Sequence, residues 1–160
     1  MGLPADNKSD MIRDGKKQKG PVLVADGDNH LRKQLSTILD GMGYDVVVTG
    51  NGESALDLFL KRSFDIVFTA LKMPGMDGLT LSLHVKASSL NTPVVLILDE
   101  NIDIAMSRIK AGRFDCVMLK LLGTREIQKA VQFFFRQRRG CRINRILQSD
   151  CHEILVGMRN

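Results

Sequence analysis

From Pro21 onward the chain alternates two patterns. Short runs rich in β-branched and other apolar residues give way to segments whose apolar positions recur every three or four residues, and the alternation repeats five times. The runs are Val22–Asp26, Asp45–Thr49, Asp65–Thr69, Pro93–Leu98 and Cys116–Leu119. They are apolar on both faces, which predicts strands covered by helices on each side. Between them Leu31, Leu35, Ile38, Leu39 and Met42 hold helical spacing, as do Leu56, Phe59 and Leu60, then Ile102, Ala105 and Ile109. In the last segment Ile127, Ala130, Val131 and Phe134 form the inward stripe.

The boundaries have mechanisms of their own. Asp28 or Asn29 is placed to cap the first helix, and Gly41 and Gly43 to end it by tolerating positive φ. Asn51-Gly52 precedes the second helix, and Asn101 or Asp103 is placed to cap the fourth. Five strands alternating with five helices predict a doubly wound α/β fold, a three-layer sandwich around a parallel sheet. Reactive groups on such sheets sit at the carboxyl ends of the strands. Those ends are Asp26-Gly27-Asp28, Thr49-Gly50, Thr69-Ala70-Leu71, Leu98-Asp99-Glu100 and Leu119-Lys120.

Composition narrows the function classes. The chain has 160 residues and 44% hydrophobic content, enough for one sizeable core with tails. No apolar run approaches the roughly 20 residues of a membrane span, and residues 1–20 lack the apolar stretch of a secretory signal, so a cytoplasmic protein is expected. Cys116, Cys141 and Cys151 match neither a zinc pattern nor a disulfide framework. The net charge of +5 is unevenly spread: +2 over residues 1–20, −1 over 21–135 and +4 over 136–160. A near-neutral globular part with basic ends argues against a nucleic-acid-binding fold surface. Residues 1–20 read as a flexible leader, and residues 138–160 as a basic extension, helical or partly disordered.

Several segments together resemble the receiver domains of two-component response regulators. "VLVADGD" is similar to that family's first strand and its acidic end, and "GYDVVVTGNGESAL" to its second strand and helix. "FDIVFTALKMPGMDGL" resembles its third strand and following loop, here Met73, Pro74, Asp77 and Gly78; "TPVVLIL" and "AGRFDCVMLK" complete the order. The resemblance covers residues 21–137 and implies a flavodoxin-like sheet of order 2-1-3-4-5. It also implies a chemistry: an Asp ending the third strand takes a phosphoryl group, Mg²⁺ held by acidic side chains neutralises its oxygens, and a Thr or Ser and a Lys on later strands bind the product.

Carried over residue by residue, that chemistry is largely missing. The acceptor position, four residues before Pro74, is Ala70. Asp26 matches the first acidic residue, but Gly27 stands where the metal-binding carboxylate belongs, with Asp28 one position further on. Leu98 replaces the hydroxyl. Lys120 matches the Lys only if one extra residue precedes it; otherwise that position is Leu119. The reading is therefore a degenerate receiver that is not an enzyme, has a defective Mg²⁺ site and needs no cofactor or metal. Lys120 is free to pair with Asp26 directly.

Two alternatives stay open. One is a displaced phosphoacceptor at Thr69, Asp65, Asp99 or Glu100, although Thr69 should face away from the pocket. Asp99-Glu100 otherwise reads as a cap to the fourth helix. The other is nucleic-acid binding through the arginine cluster that includes Arg136, Arg138 and Arg139. His30, His84 and His152 have no ligand spacing, and Cys116 reads as a core residue. Phe133, Phe134 and Phe135 span about 200° of a helix, so they cannot all face one core. Phe133, Phe135, Arg136, Arg138 and Arg139 are thus interface candidates, and a signalling partner or a second copy is expected to dock on the fourth helix, fifth strand and fifth helix.

Overall fold

The structure is a computed structural model that describes residues 12–13, 16–17, 19–99, 102–120 and 123–137. A short antiparallel ladder joins Ile12–Arg13 to Lys16–Lys17. After it the elements alternate: β1 (Lys19–Ala25), α1 (Asn29–Gly41), β2 (Tyr44–Thr49), α2 (Gly52–Lys61), β3 (Ile66–Ala70), α3 (Gly78–Ser88), β4 (Val94–Leu98), α4 (Ile102–Ala111), β5 (Cys116–Leu119) and α5 (Thr124–Gln137). The five strands pair in parallel in the order β2-β1-β3-β4-β5.

The continuous apolar runs are explained by burial on both faces. On one face Val22, Val24, Phe68 and Val95 pack against Leu31, Leu35 and Leu39 of α1 and Ile127 and Val131 of α5. On the other, Leu23, Val67 and Val94 meet Ala55 and Phe59 of α2 and Leu81 and Val85 of α3. Leu96 and Leu98 pack with Leu71 and with Ala105 of α4. Every residue of β3 and β4 is buried. Each large side chain so removed from water contributes about 1.5–3 kcal/mol before chain entropy is counted.

The bounds differ from the sequence expectation in physical detail. β1 begins at Lys19, two residues ahead of Pro21. Its N–H donates to the Gly43 carbonyl at 2.7 Å, and its ammonium lies 4.9 Å from the centre of the Tyr44 ring. Gly20 lets the Asp65 carboxylate lie against the strand in the space a Cβ would take. β3 is shifted one residue later, so Ala70 stays in the ladder opposite Ile97. Asp28 is the α1 cap; only Gly43, with φ 89°, takes the left-handed turn, whereas Gly41 closes the helix itself. Asn51 caps α2 through the Ser54 N–H. Asp103 falls inside α4, and Asn101 lies outside the described residues.

Candidate functional site

The carboxyl ends of β1, β4 and β5 bring charged side chains together into the candidate pocket, and β3 lies between β1 and β4 in the sheet. At the end of β1, the Asp26 N–H donates to the Thr49 carbonyl, and its carboxylate Oδ1 accepts from the Asp28 N–H at 2.8 Å. That bond turns the chain out of the sheet and into α1. Arg32, one turn along the helix, donates to the Asp26 carbonyl and to Asn29 Oδ1. Asp26 is 1% exposed, and its second oxygen, Oδ2, accepts no hydrogen bond among the described residues.

The charge facing it comes from β5. The Lys120 N–H donates to the Leu98 carbonyl at 2.9 Å, carrying the β4–β5 register one residue past the Leu98–Leu119 pair. Lys120 thereby points into the pocket, while Leu119 packs with the Leu96 and Leu98 cluster. The Lys120 Nζ lies 3.3 Å from Asp26 Oδ2 and 3.5 Å from Oδ1. It also lies 3.6 Å from Asp99 Oδ2 at the end of β4. The Lys120 side chain is 17% exposed and that of Asp99 58%, so the buried Asp26 contact is the stronger of the two.

The remaining positions carry no polar group. Ala70 closes β3 with a methyl group that is 2% exposed, and Leu98 closes β4 with a side chain that is 1% exposed. Gly27 is exposed and adds no side chain, though a Cβ there would meet only Pro74 Cδ at 3.4 Å and the Gly50 carbonyl at 3.9 Å. The Asp28 carboxylate accepts from the N–H groups of Leu31 and His30, and these two bonds hold it below its ordinary value of 3.8, with the Lys120 charge adding a smaller pull. Among the described residues no three His, Cys, Asp or Glu side chains are grouped to hold a metal ion.

The loop after β3 is held by packing. The Gly78 N–H donates to the Leu71 carbonyl at 2.8 Å, and a Cβ on Gly78 would strike the Ala70 carbonyl. Gly75 has φ 72° with the Glu53 carboxylate against it, Met73 and Met76 cover the α2–α3 core, and Asp77 caps α3 through the Thr80 N–H. Pro74 is exposed and faces Gly27.

Of the displaced-acceptor candidates, Thr69 is fully buried and its hydroxyl donates to the Ala70 carbonyl at 2.9 Å, so it offers no accessible nucleophile. Asp65 lies at the opposite end of β3, beside Gly20. Asp99 is at the pocket, engaged with Lys120; Glu100 and the residue that would cap α4 lie outside the described residues. Phe133, Phe135 and Arg136 fall on the last turns of α5, but their side chains, like all of Arg138 and Arg139, lie outside the described residues. Sequence reasoning did not single out Arg32, and it assigned Asp99 another role; the only signal for the first was a basic residue between the buried Leu31 and Leu35.

Residues 22–132 match the sequence profile of the "Response regulator receiver domain" family. The chain is similar to "Probable transcriptional regulator ycf27" of Cyanidium caldarium, at 29% identity over 76% of this chain and 48% of that protein. It is also similar to the DNA-binding transcriptional regulator NtrC of Escherichia coli, at 32% identity over 61% of this chain and 21% of that one. The chain thus spans about half or less of the relatives it matches. Among solved structures, a two-component response regulator from Clostridium difficile superposes with a TM-score of 0.71 at 20% identity, covering 76% of this chain and all of that one. A Francisella receiver domain superposes at 0.66 and 25% identity, covering 74% and 98%.

Proposed function

Because the chain belongs to the response regulator receiver domain family, we propose that it is a receiver-like signalling module that cannot accept a phosphoryl group. It acts by binding a signalling protein or a second copy of itself, and it catalyses no reaction. Receiver domains as a family exchange signals with other signalling proteins or with themselves. The finer claim, independence from phosphate, rests on this chain's own residues.

The observation that carries the reading is Ala70. Where the family resemblance asks for a nucleophilic carboxylate, β3 ends in a buried methyl group. The nearest hydroxyl, on Thr69, is committed to a carbonyl inside the core. Leu98 puts hydrocarbon where a hydroxyl would bind the product phosphate. With no acceptor at the pocket and no hydroxyl to bind a phosphate there, the signal has to reside in what the surface binds. We assign the docking face to α4, β5 and α5 and the site of action to the cytoplasm.

Incubation with acetyl phosphate and Mg²⁺, followed by intact mass measurement, tests this. The expected result is an unchanged mass. A stable gain of one phosphate would sink the reading, and peptide mapping to Asp99 would then identify the displaced acceptor.

A further inference from the structure

Resting on that reading, we propose that the Lys120 ammonium is the resident cation of this pocket, supplying the counter-charge that a divalent metal would supply in a phosphorylatable receiver. Asp26 is the one carboxylate among the described residues that is fully buried. A charge so removed from water must be met by an opposite charge or given up. Among the described residues one backbone N–H reaches Oδ1 and none reaches Oδ2. The Lys120 Nζ stands astride both oxygens, at 3.5 and 3.3 Å, and touches Asp99 Oδ2 at 3.6 Å. A single ammonium therefore ties the ends of β1 and β4 to β5.

The donor set does not fit Mg²⁺ in its place. That ion demands near-octahedral oxygen ligation and gives up its water reluctantly. Gly27 and Ala70 supply no oxygen from a side chain, and the Asp28 carboxylate is held by the α1 N–H groups of His30 and Leu31. Asp26 is left, with both oxygens already facing an ammonium that would repel a second cation at contact distance. Asp99 is too exposed to change this balance. Lys120 belongs to the chain, so the counter-charge to Asp26 needs no bound metal or phosphate to supply it.

A double-mutant cycle on the full chain, read by thermal unfolding with and without millimolar Mg²⁺ at matched ionic strength, tests the inference. The wild-type midpoint is expected to ignore Mg²⁺. Lys120→Met should lower the midpoint by about 5–10 °C, because it strands a buried carboxylate. The same substitution made in the Asp26→Asn background should cost only a small fraction of that, since no charge remains to be met. If Lys120→Met alone fails to fold, comparing Asp26→Asn with the double variant still measures the second quantity. Stabilisation of the wild type by Mg²⁺, or equal cost of Lys120→Met in both backgrounds, overturns the proposal. Neither readout involves phosphoryl transfer, so a mass gain with acetyl phosphate would defeat the functional reading alone.

Discussion

At the scale of single residues, the three positions where the proposed reading finds a functional group missing are not equivalent. Gly27 is exposed, and the space beside it accepts a Cβ at ordinary contact distance from Pro74. Leu98 is part of the core, packed with Leu71, Leu96 and Ala105. Restoring a carboxylate at the first should therefore be nearly neutral, and restoring a hydroxyl at the second costly. We expect Gly27→Asp to change the unfolding free energy by no more than about 0.5 kcal/mol. Leu98→Thr should lose about 2–3 kcal/mol, from the missing apolar contacts and a hydroxyl with no built-in partner. Urea unfolding of the two variants distinguishes them; equal costs would mean that Leu98 is not the packing element described here. Ala70 and Leu98 were legible in the sequence because they can be counted from Pro74 and from the end of an apolar run. The pairing of Asp99 with Lys120 was not, since it depends on the register between β4 and β5, which no local pattern encodes.

At the scale of elements, the strands were legible because burial on both faces writes itself as unbroken apolar runs. Their ends were not, because hydrogen bonds from outside the run set them. Lys19 joins β1 through the Gly43 carbonyl, and Asp26 leaves it through the Asp28 N–H. The loop after β3 shows why Met73–Gly78 persists beside an alanine: Gly78 must pass the Ala70 carbonyl, and Asp77 caps α3. Those are demands of the fold, independent of phosphate. The cap of α1 gives a prediction with a definite sign. The Asp28 carboxylate is held below 3.8 by the N–H groups of Leu31 and His30. A depressed carboxylate adds stability above its unfolded-state value, and that stability is lost as pH falls through the lower folded-state value. Asp28→Asn keeps a capping oxygen but removes the charge. Its midpoint should fall less steeply than the wild type's as pH drops below 3.8, measured by thermal unfolding across the acid range. Parallel curves would show that the capping bonds do not discriminate between the two protonation states.

At the scale of the whole molecule, the fold is that of a receiver domain, and on the function proposed above its pocket holds hydrocarbon and one internal ion pair where reactive groups are expected. If that difference is all that separates this chain from a phosphorylatable one, it should be reversible. Gly27→Asp, Ala70→Asp and Leu98→Thr combined add two carboxylates beside Asp26, so Lys120 no longer balances the pocket and a divalent cation becomes the favoured counter-charge. The hydroxyl at position 98 and Lys120 would then flank the new acceptor, both on strand ends that the sheet already holds in place. The triple variant should be less stable than the wild type, chiefly through Leu98→Thr, yet gain stability with millimolar Mg²⁺ and gain one phosphate from acetyl phosphate. Circular dichroism separates the two ways of failing. A variant that unfolds says only that the packing could not absorb the changes, and Gly27→Asp with Ala70→Asp alone then provides the Mg²⁺ test. A variant that folds, ignores Mg²⁺ and stays unmodified would mean that the ends of β1, β3 and β4 do not form the pocket assigned to them.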